Sequence, residues 1–165
     1  MKKLLLSLCL LGLTIQAYAQ VTVLPEVVLT ANYKYIDALN NEETAEGVKM
    51  LREEVALFDL KKSELFVDEY DTYLVSFFIP EGKILAAYDK EGILLRTVER
   101  FKNTKLPENV LNSLALRYPK WNIIKDIYKV NYHYEKGVRK QEYRIKLKNH
   151  DDIINIKIDA NGDFI

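Results

Sequence analysis

Residues 73–95 read YLVSFFIPEGKILAAYDKEGILL, and the pattern of this stretch returns at the end of the chain. Shifted by 70 positions, it lies without a gap on residues 143–165, which read YRIKLKNHDDIINIKIDANGDFI. Apolar residues coincide at alternate positions, and Asp89–Gly92 coincides with Asp159–Gly162. This alternation and the glycine turns are typical of antiparallel strands. Each copy is therefore predicted to form a strand, a polar turn, a second strand and a glycine turn into a third.

A helix is predicted before each copy. Apolar residues recur at helical spacing from about Glu42 to Phe58, and again from Pro107 to Tyr118. The predicted fold class is α+β, with two helix-plus-antiparallel-sheet units of meandering strands and a helix packed on one face of each. The units span residues 42–101 and 102–165, or form one fused domain over 42–165. Residues 20–41 form an N-terminal arm, either an added edge strand or an ordered arm of another kind.

The first residues have the composition of a secretory signal peptide. Lys2-Lys3 precede an apolar run from Leu4 to Ile15, and Ala17-Tyr18-Ala19 fits a small-x-small cleavage signal. The run is shorter than the roughly 20 apolar residues of a permanent membrane span. We therefore predict a signal peptide over residues 1–19, a periplasmic or secreted location, and no membrane span after cleavage.

Cysteine content and charge narrow the class of the mature chain. Cys9 is the sole cysteine, and Leu8 stands where a lipoprotein signal requires a small residue, so lipidation at Cys9 is the less favoured alternative. Of 24 basic and 24 acidic side chains, only Lys2 and Lys3 fall within the signal peptide, which leaves 22 basic against 24 acidic. Nucleic-acid-binding proteins normally have a basic excess, so we predict no nucleic-acid partner.

The sequence contains no motif of a catalytic or cofactor site. His133 and His150 have no further donors at zinc-ligand spacing, and the acidic turn at Asp159–Asp163 lacks the spacing and the glutamate of a calcium loop. No nucleophile elbow, metalloprotease motif, phosphate-binding loop or dinucleotide fingerprint is present. We therefore predict no catalytic residue, no cofactor and no metal.

Two rows of side chains on the predicted strand 121–134 are candidates for partner binding. The tyrosines share one side, where they are either core residues or a partly exposed platform for a protein. The other side carries Lys129, which with Arg144, Lys146 and Lys157 of the following strands forms either a solvated face or a basic binding patch. The candidate partner-binding residues are Tyr128, Tyr132, Tyr134, Lys129, His133, Arg144 and Lys146.

The first copy is apolar on both sides of its predicted sheet. Tyr73 and its alternate neighbours fill one side, whereas Leu74 and Phe78, joined by Leu85 and Leu94, make the other side apolar. A sheet of this kind needs a covering on each side. We expect the N-terminal arm or the other half of the chain to supply the second covering, in preference to a partner.

Six segments carry a resemblance to a known group of extracytoplasmic domains. They are Ile84–Gly92, Arg96–Phe101, Leu106-Pro107, Tyr118–Trp121, Val130–Tyr132 and Ile158–Gly162. With the order of helix and strands, they resemble the PepSY-like and beta-lactamase-inhibitor-like (BLIP-like) domains over about residues 45–165. The resemblance implies a scaffold without catalytic residues that binds or inhibits proteins such as peptidases or lactamases. The typical inhibitor carries disulfides, whereas the predicted mature chain has no cysteine.

These observations predict a secreted or periplasmic binding module that is not an enzyme. It would recognise a protein or peptide through its sheet surface, and in a narrower form it would inhibit an envelope hydrolase. Two alternatives stay open. A small hydrolase or transferase would need a solvent-open pocket that joins a serine or carboxylate to His133 or His150. A structural envelope protein would show ordered self-association.

Overall fold

A single antiparallel sheet forms the centre of the molecule in the computed structural model, which describes residues 26–39 and 43–165. Its strands lie in chain order, and each is antiparallel to the next. They are β1 (Thr72–Ile79), β2 (Gly82–Asp89), β3 (Leu94–Lys102), β4 (Asn122–His133), β5 (Gly137–Asn149) and β6 (Asp152–Asp159). The sheet continues across the boundary predicted between residues 101 and 102, because β3 pairs with β4. The predicted α+β fold class, with helices packed on an antiparallel sheet, is confirmed.

The helices of the described ranges cover one side of the sheet. They are α1 (Glu26–Leu39), α2 (Glu46–Leu57) and α3 (Glu108–Arg117). Tyr35, Val55 and Leu114 are core residues contributed by the three helices in turn, and they share one apolar cluster with Tyr73 and Ile145 of the sheet. Burying such a stripe stabilises helices that are too short to be stable in isolation.

Helix α1 corrects the edge-strand interpretation of the N-terminal arm. Val28, Ala31, Tyr35 and Leu39 are buried and recur every three or four residues, so the segment buries one side of a helix. Aromatic and β-branched residues in the same segment are also compatible with a strand, so the sequence left both alternatives open. The signal peptide predicted for residues 1–19 lies outside the described residues, as do the arm's residues 20–25 and 40–41.

The two copies of the repeated stretch pair their strands in the same register. In the first copy Tyr73 lies opposite Tyr88, and in the second Tyr143 lies opposite Ile158, 70 positions further along. The third strand of the second copy consists of an isolated bridge from Ile158 to Phe164. The alternation read from the sequence thus places equivalent side chains on the helix-covered side in both halves.

The glycine turns of the two copies are built alike. The Gly92 amide donates to the Asp89 carbonyl at 3.1 Å, and the Gly162 amide donates to the Asp159 carbonyl at 3.2 Å. Gly92 and Gly162 have φ of 91° and 92°, which favours glycine. Their surroundings differ. A Cβ on Gly92 would meet only Val28, at 3.9 Å, whereas a Cβ on Gly162 would lie 3.0 Å from the Asn109 carbonyl oxygen in α3.

Substituting the two turn glycines separates backbone strain from crowding. We expect Gly92→Ala to lower the free energy of unfolding by about 1 kcal/mol, since only the positive φ is penalised. Gly162→Ala should cost about 2 kcal/mol, because the new methyl also presses on α3. Urea denaturation followed by circular dichroism measures both. Equal losses of stability in the two variants would mean that α3 moves away from the new methyl group at Gly162 without an energetic cost.

A buried ion pair joins α2 to β3 within the core. Nη2 of Arg52 lies 2.9 Å from Oε2 of Glu99, and Nε of Arg52 also donates to this oxygen at 3.0 Å. Tyr35 and Thr97 donate their hydroxyls to Oε1 of Glu99 at 2.7 and 3.3 Å. Burial would by itself lower the pKa of Arg52, but Glu99 raises it above its usual value. Each of the two carboxylate oxygens of Glu99 therefore accepts two hydrogen bonds.

Candidate partner-binding face

Two of the candidate tyrosines belong to the core. Tyr128 and Tyr132 are buried beneath the helices, since their side of β4 faces α1 and α2. The Tyr132 ring lies 5.2 Å from the Tyr35 ring, and the Tyr128 ring stacks on Tyr143 at 4.7 Å. Burial raises the pKa of Tyr132 and of Tyr143. The exposed-platform interpretation is therefore wrong for Tyr128 and Tyr132, and the core interpretation holds.

Tyr134 and His133 lie at the end of β4, apart from that core. Tyr134 is half-buried, and the Lys34 ammonium sits 4.9 Å from its ring centre and 3.4 Å from its hydroxyl. His133 is half-buried, and its Nδ1 accepts the Glu135 amide at 3.2 Å. The structure therefore places these two candidates at the corner of the sheet and does not bring them together with Arg144 or Lys146.

The side of the sheet opposite the helices is covered by none of the described residues; we call it the open face. Its β1 end exposes Leu74 and Phe78, by 60% and 66% of their surface. With Leu85 and Val98, which are also exposed, these residues form the apolar patch of the open face. The expectation that the arm or the other half of the chain covers this side is wrong for the described residues, because α1 packs on the same side as α2.

Leu94 does not belong to the apolar patch. A register shift between Ala87 and Tyr88 in β2 places Leu94 opposite Tyr88, and both side chains are fully buried. One residue of shift moves a side chain to the other face of a sheet, so simple counting from Leu74 and Phe78 gave Leu94 the wrong side.

The rest of the open face is occupied by a set of basic side chains, which we call the cationic grid. Its members are Lys83, Arg100, Lys102, Lys125, Lys129, Arg144, Lys146 and Lys157. Two adjoining grooves run along it, of about 400 and 340 Å³, and Lys125 and Ile127 line both. The sequence indicated Lys129, Arg144 and Lys146 as candidates and placed Lys157 in the same basic patch, and the sheet brings these four together with the other grid members.

Several members of the cationic grid oppose one another directly. The register pairs Arg100 with both Lys83 and Lys129 on the neighbouring strands. It also pairs Lys125 with Lys146 and, on the next strands, Arg144 with Lys157. Cross-strand neighbours have Cβ atoms roughly 4.5 to 5.5 Å apart, and like charges at that spacing destabilise a sheet. The open face therefore keeps an arrangement that folding alone disfavours.

Glu81 lines the groove of about 340 Å³, and Glu142 is embedded among these cations. Glu142 is buried and accepts Arg144 Nε at 2.8 Å and Lys140 Nζ at 3.1 Å. Although burial would raise the pKa of Glu142, hydrogen bonds from Arg144 and Lys140 lower it. For Lys129, partial burial and then repulsion from Arg144 and Arg100 lower the pKa. These carboxylates thus compensate part of the charge of the eight grid cations and leave a net positive field.

Lys83, Arg100 and Lys102 could have been found by extending the strand alternation to β2 and β3. Lys83 shares a side with Leu85, and Arg100 and Lys102 share a side with Val98. The overall charge balance concealed them, because it counts the acidic residues of helices and turns together with the basic residues of the open face. The charge of a surface depends on which side each strand residue occupies, and composition does not contain that information.

The described residues contain no candidate metal cluster, and their histidines lie away from the grooves of the cationic grid. No three His, Cys, Asp or Glu side chains among them converge in a way that would hold a metal ion. His150 lies exposed in the β5–β6 turn with φ of 52°, and neither histidine lines the two grooves of the cationic grid. Of the helices in the described ranges, none has the length and apolar character needed to cross a membrane.

Comparison with known proteins finds similarity in solved structures. No protein-family model matches the chain, and no curated protein matches it. A DUF2874 family protein from Bacteroides uniformis ATCC 8492 is 12% identical, with a TM-score of 0.36 and 86% of each chain covered. A DUF2874 family protein from Bacteroides ovatus ATCC 8483 is 11% identical, with a TM-score of 0.36 and coverage of 86% of this chain and 84% of that one. The resemblance to PepSY-like and BLIP-like domains stays a prediction, and the chain is similar to proteins of a family without a known function.

Proposed function

We propose that this chain is an extracytoplasmic, non-enzymatic binding module that recognises a protein through the open face of its sheet. The observation that carries the proposal is the meeting, on one uncovered face, of the apolar patch and the cationic grid. Exposed apolar side chains that lie together are typical of interaction surfaces. The partner that fits this face by charge has acidic residues beside an apolar anchor. When that partner is an envelope hydrolase, binding would inhibit it.

Phe78 is the side chain that we expect to contribute most to the affinity. It is the large aromatic residue of the apolar patch, it lies beside Lys83 across β1 and β2, and it is exposed in the free chain. Aromatic anchors of this kind dominate binding energies at protein interfaces, because a partner desolvates them completely. Phe78 can also be replaced without opening a cavity in the core, since its side chain lies on the open face.

Substituting Phe78 tests the proposal. We expect Phe78→Asp to weaken the partner by at least about 10-fold, since it places a charge in an apolar contact. The measurement is affinity capture from an extracytoplasmic extract, followed by calorimetric titration of the purified partner that the wild type retains. Leu116→Asp is the matched control, because Leu116 is 86% exposed on α3, on the helical side. Equal affinity of Phe78→Asp and wild type would contradict the proposal.

A further inference from the structure

The like-charged pairs of the cationic grid carry an inference about the chemistry of the partner. Lys125, Lys146 and Lys157 form no ion pair with any described residue, although acidic side chains are plentiful elsewhere in the chain. Opposite charges on cross-strand neighbours stabilise a sheet, and like charges destabilise it. Repulsion kept on one face, beside an exposed apolar patch, therefore indicates a ligand that supplies the missing negative charges.

We propose that the cationic grid binds the carboxylates of an extended acidic peptide segment, and that this segment relieves a like-charge repulsion present in the free protein. The inference rests on the proposed function, since the segment would belong to the partner that covers the open face. It adds the chemical class of the ligand and the side chains that contact it. Arg144 presents a planar guanidinium for paired carboxylate contacts, while the lysines act as point charges.

The spacing of the grid fits an extended peptide. Arg144 and Lys146 are two residues apart on β5, which places them roughly 6.6 to 6.8 Å apart along the strand. Alternate residues of an extended ligand repeat at the same distance, so acidic residues at every second position would meet successive cations. Arg144 and Lys146 both line the groove of about 400 Å³ between Lys125 and Lys157. The ligand's intervening residues would point away from the sheet.

Two other anionic partners fit the face less well. Single-stranded nucleic acids are bound by cations interleaved with aromatic rings on which bases stack. The groove between Lys125 and Lys157 is lined instead by aliphatic Ile127, Ile145 and Ile156. An anionic bilayer would need cations around the apolar side chains, so that both reach the headgroups together. Here the apolar patch lies on β1 to β3, and although Lys83 and Arg100 border it, most of the cationic grid lies on β4 to β6, away from the apolar side chains.

The experiment compares wild type with the double variant Lys146→Gln/Lys157→Gln. This variant removes one member from each of two like-charged pairs and retains the ion pair of Arg144 with Glu142. Lys61→Gln/Lys90→Gln is the matched control, because both of its lysines are exposed away from the open face and the net charge changes equally. Each protein is titrated with hexaglutamate by calorimetry, and its urea midpoint is measured at low and at physiological salt.

The inference expects two opposite effects in the double variant. Its urea midpoint at low salt should exceed that of wild type, and its affinity for hexaglutamate should fall by about 10-fold, while the control variant changes neither. A lowered midpoint would overturn the claim of relieved repulsion. Equal binding of hexaglutamate by wild type and double variant would overturn the assignment of the site.

Further outcomes distinguish this inference from the proposed function. A wild type that ignores hexaglutamate but retains a protein partner sensitive to Phe78→Asp would overturn the acidic-peptide inference and leave the proposed function intact. Tighter binding of a single-stranded oligonucleotide, or of vesicles containing anionic lipid, at the same salt would replace the peptide with that ligand. Loss of both hexaglutamate binding and the Phe78-dependent partner would overturn both.

Discussion

Replacing Arg52 with Met should lower the free energy of unfolding by about 3 to 5 kcal/mol, the largest effect that we expect from a single substitution. The side chain of Arg52 is buried between α2 and β3, where two of its nitrogens bind Oε2 of Glu99. Methionine has a similar length and fills the space, so the loss would come from charge and not from a cavity. The carboxylate of Glu99 would remain buried without its counter-ion, held only by Tyr35 and Thr97.

The double variant Arg52→Met/Glu99→Gln distinguishes a lost ion pair from lost packing. Removing both charges should recover most of the stability, because replacing a buried pair by uncharged groups is often close to neutral. Urea denaturation followed by circular dichroism and by Trp121 fluorescence gives the free energies. Arg139→Met is the control for exposed arginine, with an expected change within about 0.5 kcal/mol. A double variant no more stable than Arg52→Met would contradict the electrostatic explanation.

Asn32→Ala should produce the second-largest loss, about 3 to 4 kcal/mol, because it leaves several buried backbone groups without a partner. The Asn32 amide donates to the carbonyls of Ala56 and Gly92 at 3.1 and 3.3 Å, and its oxygen accepts the Leu94 amide at 2.8 Å. One side chain thereby holds α1 against the end of α2 and against the first glycine turn.

Asn109 offers a natural comparison, because its side chain on α3 contacts the second glycine turn. It is exposed and donates to the Ala160 carbonyl at 2.7 Å. Since water can replace that bond, Asn109→Ala should cost no more than about 1 kcal/mol. Hydrogen exchange of the Leu94 amide adds a local measurement and should accelerate in Asn32→Ala alone. Equal stability losses in the two variants would show that the burial of Asn32 does not increase the contribution of its hydrogen bonds to stability.

The sequence predicted the sheet well because its signals there are local. Strand β1 (Thr72–Ile79) lies where the alternation at the start of the first copy predicts a strand, and the glycine turns at Gly92 and Gly162 lie where the pattern placed them. Strand β1 alternates cleanly between exposed and buried residues, and the turn glycines follow from backbone sterics. Such features need no knowledge of distant contacts.

Helix α1 and the side assigned to Leu94 were beyond that local reasoning. In α1, Val28 and Tyr35 occur among residues that also favour strands, and only packing under β3 decides the outcome. The side of the sheet that Leu94 occupies depends on a one-residue register shift near Tyr88, and no turn residue in the sequence predicts that shift. The ion pair of Arg52 with Glu99 joins residues 47 positions apart, and the sequence contains no indication that they meet.

The sequence identified only part of the candidate binding face. Lys129, Arg144 and Lys146 were identified because their strands read unambiguously, whereas Lys83, Arg100 and Lys102 were hidden on β2 and β3, beside the apolar patch. The tyrosine row left two interpretations open, because an aromatic stripe fits both an exposed platform and a core until the position of the helices is known. Side-chain pattern gives the sides of a strand, and the helices decide which side remains open.

The order of the strands has an entropic consequence for the assembly of the sheet. Because every strand pairs with its neighbour in the chain, the loops to be closed are short, as at Pro80-Glu81 between β1 and β2. The cost of closing a loop rises by only about 0.6 kcal/mol for each doubling of its length. The longest connection, residues 103–121 between β3 and β4, contains α3, which shortens its effective span. The chain thus meets no large loop-closure penalty at any step from β1 to β6.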